Sequence, residues 1–220
     1  MTAESEIAES DIATTMPDWS AFMRRSVDYV DAGRLAACFD NVFNPGLCEQ
    51  LRGTHRLQER VSELIDRRYA LPVPIAEDAI DDGDRNIALL TAERLLDLIR
   101  GAGAIYWANA IANVVLADEV RWLHEQIGEA LCAFALANRD LSGPGETLEP
   151  LASAGERVTR DGERCFEAWC QSMPEAVAAR VRLKLPVTCG PGGDEAELPA
   201  TIGRSIVRRT ASKASDAAAE

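Results

Sequence analysis

The residues best suited to chemistry are Asp81, Asp82 and Asp84, in the run Asp81-Asp82-Gly83-Asp84. Clustered carboxylates at the mouth of a helical pocket can hold Mg²⁺ and a diphosphate. That defines one reading, a helical Mg²⁺-dependent phosphohydrolase or diphosphate enzyme. Such a site needs a second acidic cluster on a facing helix, and the sequence offers no convincing one. Gly83 also breaks the helical face that would aim the carboxylates together. The ordinary reading is a turn that caps a helix and places negative charge at its N-terminus. The favoured expectation is no catalytic residue, no metal ligand and no cofactor.

Other candidates are weaker still. Arg180, Arg182 and Lys184 are the densest basic run inside the folded part. They are the candidate partner-binding residues, a docking strip for an acidic partner. The competing reading is a solvated helix end whose cations complement the dipole. Arg204, Arg208 and Arg209 read as solvated. His55 and His124 are the two histidines, and neither has a second His or Cys at ligand spacing. No Gly-x-Ser-x-Gly nucleophile elbow appears. Gly101-Ala102-Gly103 follows a helix and lacks a third glycine, so it reads as close helix approach or a helix break, not a nucleotide loop. Trp107, Trp122 and Trp169 read as core or lobe-interface residues. The six cysteines form no Cys-x-x-Cys pair and read as reduced, buried thiols.

The elements around these residues are helical. Ala and Leu fill the space that aromatics leave, since Phe, Trp and Tyr make up only 5%. The clearest element is an amphipathic helix over 119–137. Val120, Leu123, Ile127, Leu131 and Phe134 share one stripe there, with Asp118 at the N-cap position. Apolar spacing predicts further helices from Pro17 to a break at Gly33, and over 47–68, 84–100, 105–116, 151–172 and 175–185. Gly155 and Gly162 are weak points in the 151–172 helix. The expected architecture is all-α, an irregular multi-helix domain over 17–186 with room for two small lobes, 17–75 and 84–186. Residues 1–16 read as a disordered acidic lead. Residues 187–220 read as a mostly flexible tail with a weak helical patch at Ile202, Ile206 and Val207.

Charge narrows the function. The formal net charge is −13. Nucleic-acid binders neutralise phosphates with Lys and Arg, and an anionic membrane repels the same sign, so a nucleic-acid partner is disfavoured, including for a helical transcription regulator. No secretory signal and no membrane-spanning run is visible, so the expectation is a cytoplasmic protein without direct membrane insertion.

Two ordered phrases then suggest a family. The first is Leu95-Leu96-Asp97-Leu98-Ile99-Arg100-Gly101-Ala102-Gly103-Ala104 followed by Val120 to Leu136, ending Phe134-Ala135-Leu136. The second is Asp161-Gly162-Glu163-Arg164-Cys165-Phe166-Glu167-Ala168-Trp169, then Pro174, then Arg180-Val181-Arg182-Leu183-Lys184-Leu185-Pro186. In this order they resemble the SctK family of type III secretion systems, whose members include the YscK and PscK proteins. Ile127 and Phe166 depart mildly from the family phrases. The resemblance implies a cytoplasmic, non-enzymatic adaptor of the sorting platform. It would bridge the inner-membrane ring protein SctD and the pod protein SctQ, and through SctQ join the stator SctL and the ATPase SctN. No site residues come with it.

Overall fold

The structure is a computed structural model that describes residues 18–143, 147–189 and 198–216. Its described residues form twelve α-helices and no strand, as an all-α reading requires. The chain breaks its helices more often than apolar spacing predicts. Helix α1 (Trp19–Arg24) buries Trp19, Phe22 and Met23, a three-four spacing on one face. It ends well before Gly33, and a single 3₁₀ turn covers Ser26–Asp28. Helix α2 (Ala32–Ala37) then opens at Asp31, whose carboxylate accepts from the amides of Gly33 at 3.0 Å and Arg34 at 3.1 Å. Gly33 therefore sits in a first turn, not at a helix end.

The single helix expected over 47–68 is two. Helix α3 (Pro45–Gly53) is capped by Asn44, and helix α4 (His55–Arg68) starts after Thr54 leaves helical geometry. The Thr54 hydroxyl donates instead to the Gln50 carbonyl at 2.7 Å. Helices α5 (Asp82–Leu89) and α6 (Ala92–Tyr106) divide at Leu90, because Thr91 caps α6. Helix α7 (Ala108–Asn113) follows. Helices α8 (Ala117–Ile127) and α9 (Glu129–Ala137) split the expected 119–137 helix at Gly128, whose φ of 101° only glycine adopts readily. The N-cap of α8 is Leu116, so Asp118 lies within the first turn and acts there through its charge. Helices α10 (Ala154–Gln171), α11 (Glu175–Leu183) and α12 (Ala200–Asp216) complete the chain.

The centre is the crossing of α6 and α10. A methyl group on Gly103 would overlap the Val158 carbonyl, and one on Gly162 would overlap the Ile99 carbonyl. The two backbones touch because neither glycine has a side chain. Helix α6 runs unbroken through Gly101 and Gly103, and α10 through Gly155 and Gly162, so close approach is the role of this glycine pair. Helix α12 packs on both, and its Ile206 and Val207 are fully buried. The flexible tail expected over 187–220 thus contains a docked helix. The acidic lead, residues 1–16, lies outside the described residues.

Packing also joins the two expected sub-lobes. Trp19, Phe22 and Met23 share a buried cluster with Leu98, Ile99, Trp169 and Val177. Leu183 in turn sits among Val27, Leu35, Val61 and Ile65. The Asp31 amide donates to the Leu183 carbonyl at 2.8 Å across the same boundary.

Candidate functional site

The acidic run does not gather three carboxylates around one point. Asp81 caps α5 and accepts the Asp84 amide at 3.1 Å, as a turn-and-cap reading predicts. Asp82 is exposed and pairs with Arg85 at 3.0 Å. Asp84 is 1% exposed and points into the protein. There it accepts the indole N–H of Trp169 at 2.9 Å, Arg204 at 2.6 Å, and Arg208 at 2.9 and 2.7 Å. Asp81 accepts from the same two arginines. Burial works to raise the Asp84 pKa, but hydrogen bonds from Arg208, Trp169 and Arg204 outweigh it and hold the carboxyl below its ordinary value. The oxygens that a divalent cation would need are taken by guanidinium groups. Among the described residues no group of three His, Cys, Asp or Glu is placed to hold a metal ion.

This clasp also corrects the tail arginines. Arg204 and Arg208 are not simply solvated; they fasten α12 to α5. Arg209 pairs with Asn138 at 3.2 Å and with Asp140 at 3.4 Å.

The expected docking strip turns inward. Arg180 is 1% exposed, and Lys184 is 4% exposed. Arg180 donates to the carbonyls of Met23 at 2.9 Å, Pro72 at 3.0 Å and Ala176 at 2.9 Å. It therefore ties α1 and the loop after α4 to α11. Lys184 donates to Ala88 at 2.6 Å and Leu90 at 2.7 Å, the carbonyls left open at the end of α5. Its Nζ also lies 4.7 Å from the Phe22 ring centroid and 5.4 Å from that of Tyr29. Burial pushes the Lys184 amine down to about 7. Arg182 alone stays near the surface, and it is already paired with Glu167 on α10. Two of the three candidate residues are thus internal braces with no surface to offer a partner.

The remaining candidates are structural. His55 opens α4 and is exposed, while His124 is half-buried in the last turn of α8. Trp107 is buried and donates to Asp161 at 2.8 Å. All six cysteines are free, and burial pushes the Cys165 thiol up to about 12, far from a reactive thiolate.

The surface carries a feature that sequence reading did not single out. Arg56, Arg60 and Arg67 are exposed on α4, on the side away from the buried Val61 and Ile65. Arg60, Arg67 and Glu63 line a hollow of about 410 Å³ together with Phe39, Val61 and Leu64, and Arg67 is paired there with Glu63 at 3.3 Å. Phe39 is aimed there by a turn in which Asp40 (φ 51°) and Asn41 (φ 58°) are both left-handed, a conformation that Asp and Asn tolerate best after glycine. Phe39 stacks on Phe43 with centroids 4.6 Å apart. The signal was the break at Thr54. It sets α4 in its own register and leaves Leu57 and Leu64 outside the core.

Among the described residues no helix is long and apolar enough to cross a membrane. Neither the curated proteins nor the solved structures contain a match to this chain. A protein-family model described as YOP proteins translocation protein K (YscK) matches residues 10–202. That span holds the α6–α10 crossing, the inward cations and the α4 hollow. By this match the chain belongs to the YscK family, a family of the type III secretion system.

Proposed function

We propose that the chain is a non-enzymatic adaptor of the type III secretion sorting platform, seated at the cytoplasmic face of the apparatus. It bridges the cytoplasmic domain of a SctD-like ring protein and a SctQ-like pod protein, and through the latter joins the SctL stator and SctN ATPase. The observation that carries this reading is the family match over residues 10–202. The chemistry of the polar groups supports it. The best acidic cluster is spent on Arg204 and Arg208, and the best basic run is spent on carbonyls and Glu167. Groups used in this way fix a shape, which is what an adaptor needs.

A clean in-frame deletion in the producing cell tests the reading. Secretion of effector proteins and needle assembly should both stop, and a plasmid copy of the gene should restore them. Normal secretion by the deletion strain would refute the proposal.

A further inference from the structure

We infer that α12 is a detachable strap. It is held as an internal ligand in a groove formed by α5, α6 and α10, and it leaves that groove as one unit while the rest of the fold stays closed. The groove is thereby a binding site for a helix that carries two arginines four residues apart. The inference goes beyond the adaptor reading and does not depend on it.

The attachment is narrow. Helix α12 buries Gly203, Ile206, Val207 and Thr210, spaced as one face of a helix, and two of these four are aliphatic. The fit is close at its small residues. A methyl group on Gly203 would overlap Ala168 and the Cys165 carbonyl of α10, and one on Gly101 would overlap Thr210. At the start of α12 the backbone hydrogen bonds stay local, from Ile202 and Gly203 to the Pro199 carbonyl. Arginine side chains make the polar links to other elements.

Those links are open to water on one side. Arg204 and Arg208 stand one turn apart and reach the same two carboxylates, Asp81 and Asp84. Asp84 is enclosed, but the side chains of Arg204, Arg208 and Asp81 are 37%, 38% and 48% exposed, so salt reaches the outer half of the clasp. Arg209 adds only exposed contacts, at 3.2 Å to Asn138 and 3.4 Å to Asp140. The Arg204 Nε is buried without an acceptor, a cost of closing that opening relieves. Release returns two acids and two arginines to water, which offsets much of the attraction lost between them.

The structure under the strap is complete without it. Gly103 and Gly162 bring α6 and α10 into backbone contact. Trp19, Phe22, Leu98, Phe166 and Val177 fill the same buried cluster from other elements. Opening therefore gives up two aliphatic side chains and leaves the crossing in place.

Native-state hydrogen exchange of the full-length chain tests this. Amides of α12 should exchange at least about tenfold faster than those at the α6–α10 crossing, and added salt should speed α12 alone. Gly203→Ala separates release from fraying. Alanine makes α12 a better helix, so fraying would slow, whereas a strap pushed off the Cys165 carbonyl exchanges faster. A second measurement uses a labelled peptide of residues 198–216. It should bind full-length R204E/R208E, whose own strap is repelled by Asp81 and Asp84, at least about tenfold more tightly than the wild type, whose groove is filled by its tethered helix. The peptide carrying both glutamates should bind neither chain. Exchange of α12 in step with the crossing, slower exchange in Gly203→Ala, or no binding of the peptide to R204E/R208E would overturn the inference. So would loss of the whole cooperative melt in R204E/R208E, because α12 would then be part of the core.

Discussion

Asp84 and Lys184 carry the sharpest consequences at the scale of single residues, because each is an ionisable group the fold has taken out of water. Asp84 gathers Trp169, Arg204 and Arg208, which lie more than eighty residues away in sequence. Replacing it with Ala should cost about 3 kcal/mol, since the Trp169 N–H is left buried without an acceptor and the two arginines lose their anion. Denaturant unfolding measures this loss directly. Because the Asp84 carboxyl is held below its ordinary value, its contribution is complete above the unfolded pKa and disappears as pH falls through the folded one. The acid limb of the stability curve should be shallower in Asp84→Asn. Lys184 has the opposite arrangement. Burial favours its neutral amine, which still has two N–H groups for the Ala88 and Leu90 carbonyls. Between about pH 7 and 10.5 the unfolded chain therefore holds a proton that the folded chain has released, and stability rises across that window. Thermal melts of Lys184→Met should lack that rise. None of these roles was legible in sequence. On an α-helix residues four apart share a face, so Arg180 and Lys184 point together and Arg182 points away. Spacing gives that geometry, yet it does not say which face meets the core.

At the scale of elements, the α6–α10 crossing is the least tolerant feature. A methyl group at Gly162 would strike the Ile99 carbonyl, and backbone cannot move as a flexible side chain does. Gly162→Ala should therefore destabilise by roughly 2 kcal/mol or more, although alanine is the better helix former, and lower the melting temperature by about 4–8 °C. A melt unchanged from wild type would show that the helices do not touch there. The sequence reading had both roles of Gly101-Ala102-Gly103 in hand, close approach and break, because composition alone cannot separate a glycine that ends a helix from one that is pressed against another. Helix existence was well signalled by the spacing of Leu123, Phe134, Val158 and Trp169. Helix ends were not. Thr54, Thr91 and Gly128 each interrupt a stripe that the apolar pattern carries straight through, because local caps and one left-handed backbone position override a periodicity that averages over many residues. Helix α12 was underestimated for a related reason. Its Ile206 and Val207 look sparse in isolation, and the groups that retain it, Asp81 and Asp84, are remote in the chain.

At the scale of the whole molecule, packing and charge divide the work. Internal cations fasten the N-terminal helices to α11, the Asp84 clasp fastens α12, and the buried clusters run across what the sequence suggested as separate lobes. On the surface of α4, exposed arginines alternate with Glu59 and Glu63 beside a shallow hollow. The family was legible because the phrases around α6, α9 and α10 to α11 are those of the crossing and its braces, the parts that packing constrains most. Surface roles were not legible in this way, because an exposed arginine on a helix looks the same in sequence whether it meets water or a protein. The account's central claim is that this chain links two other components of the apparatus. The most direct measurement is size-exclusion chromatography of the purified SctD-like cytoplasmic domain and SctQ-like pod protein, with and without the full-length chain. The account predicts that the two elute together only when the chain is present, in one peak containing all three. A chain that elutes apart from both, or two proteins that join equally well without it, would contradict the claim.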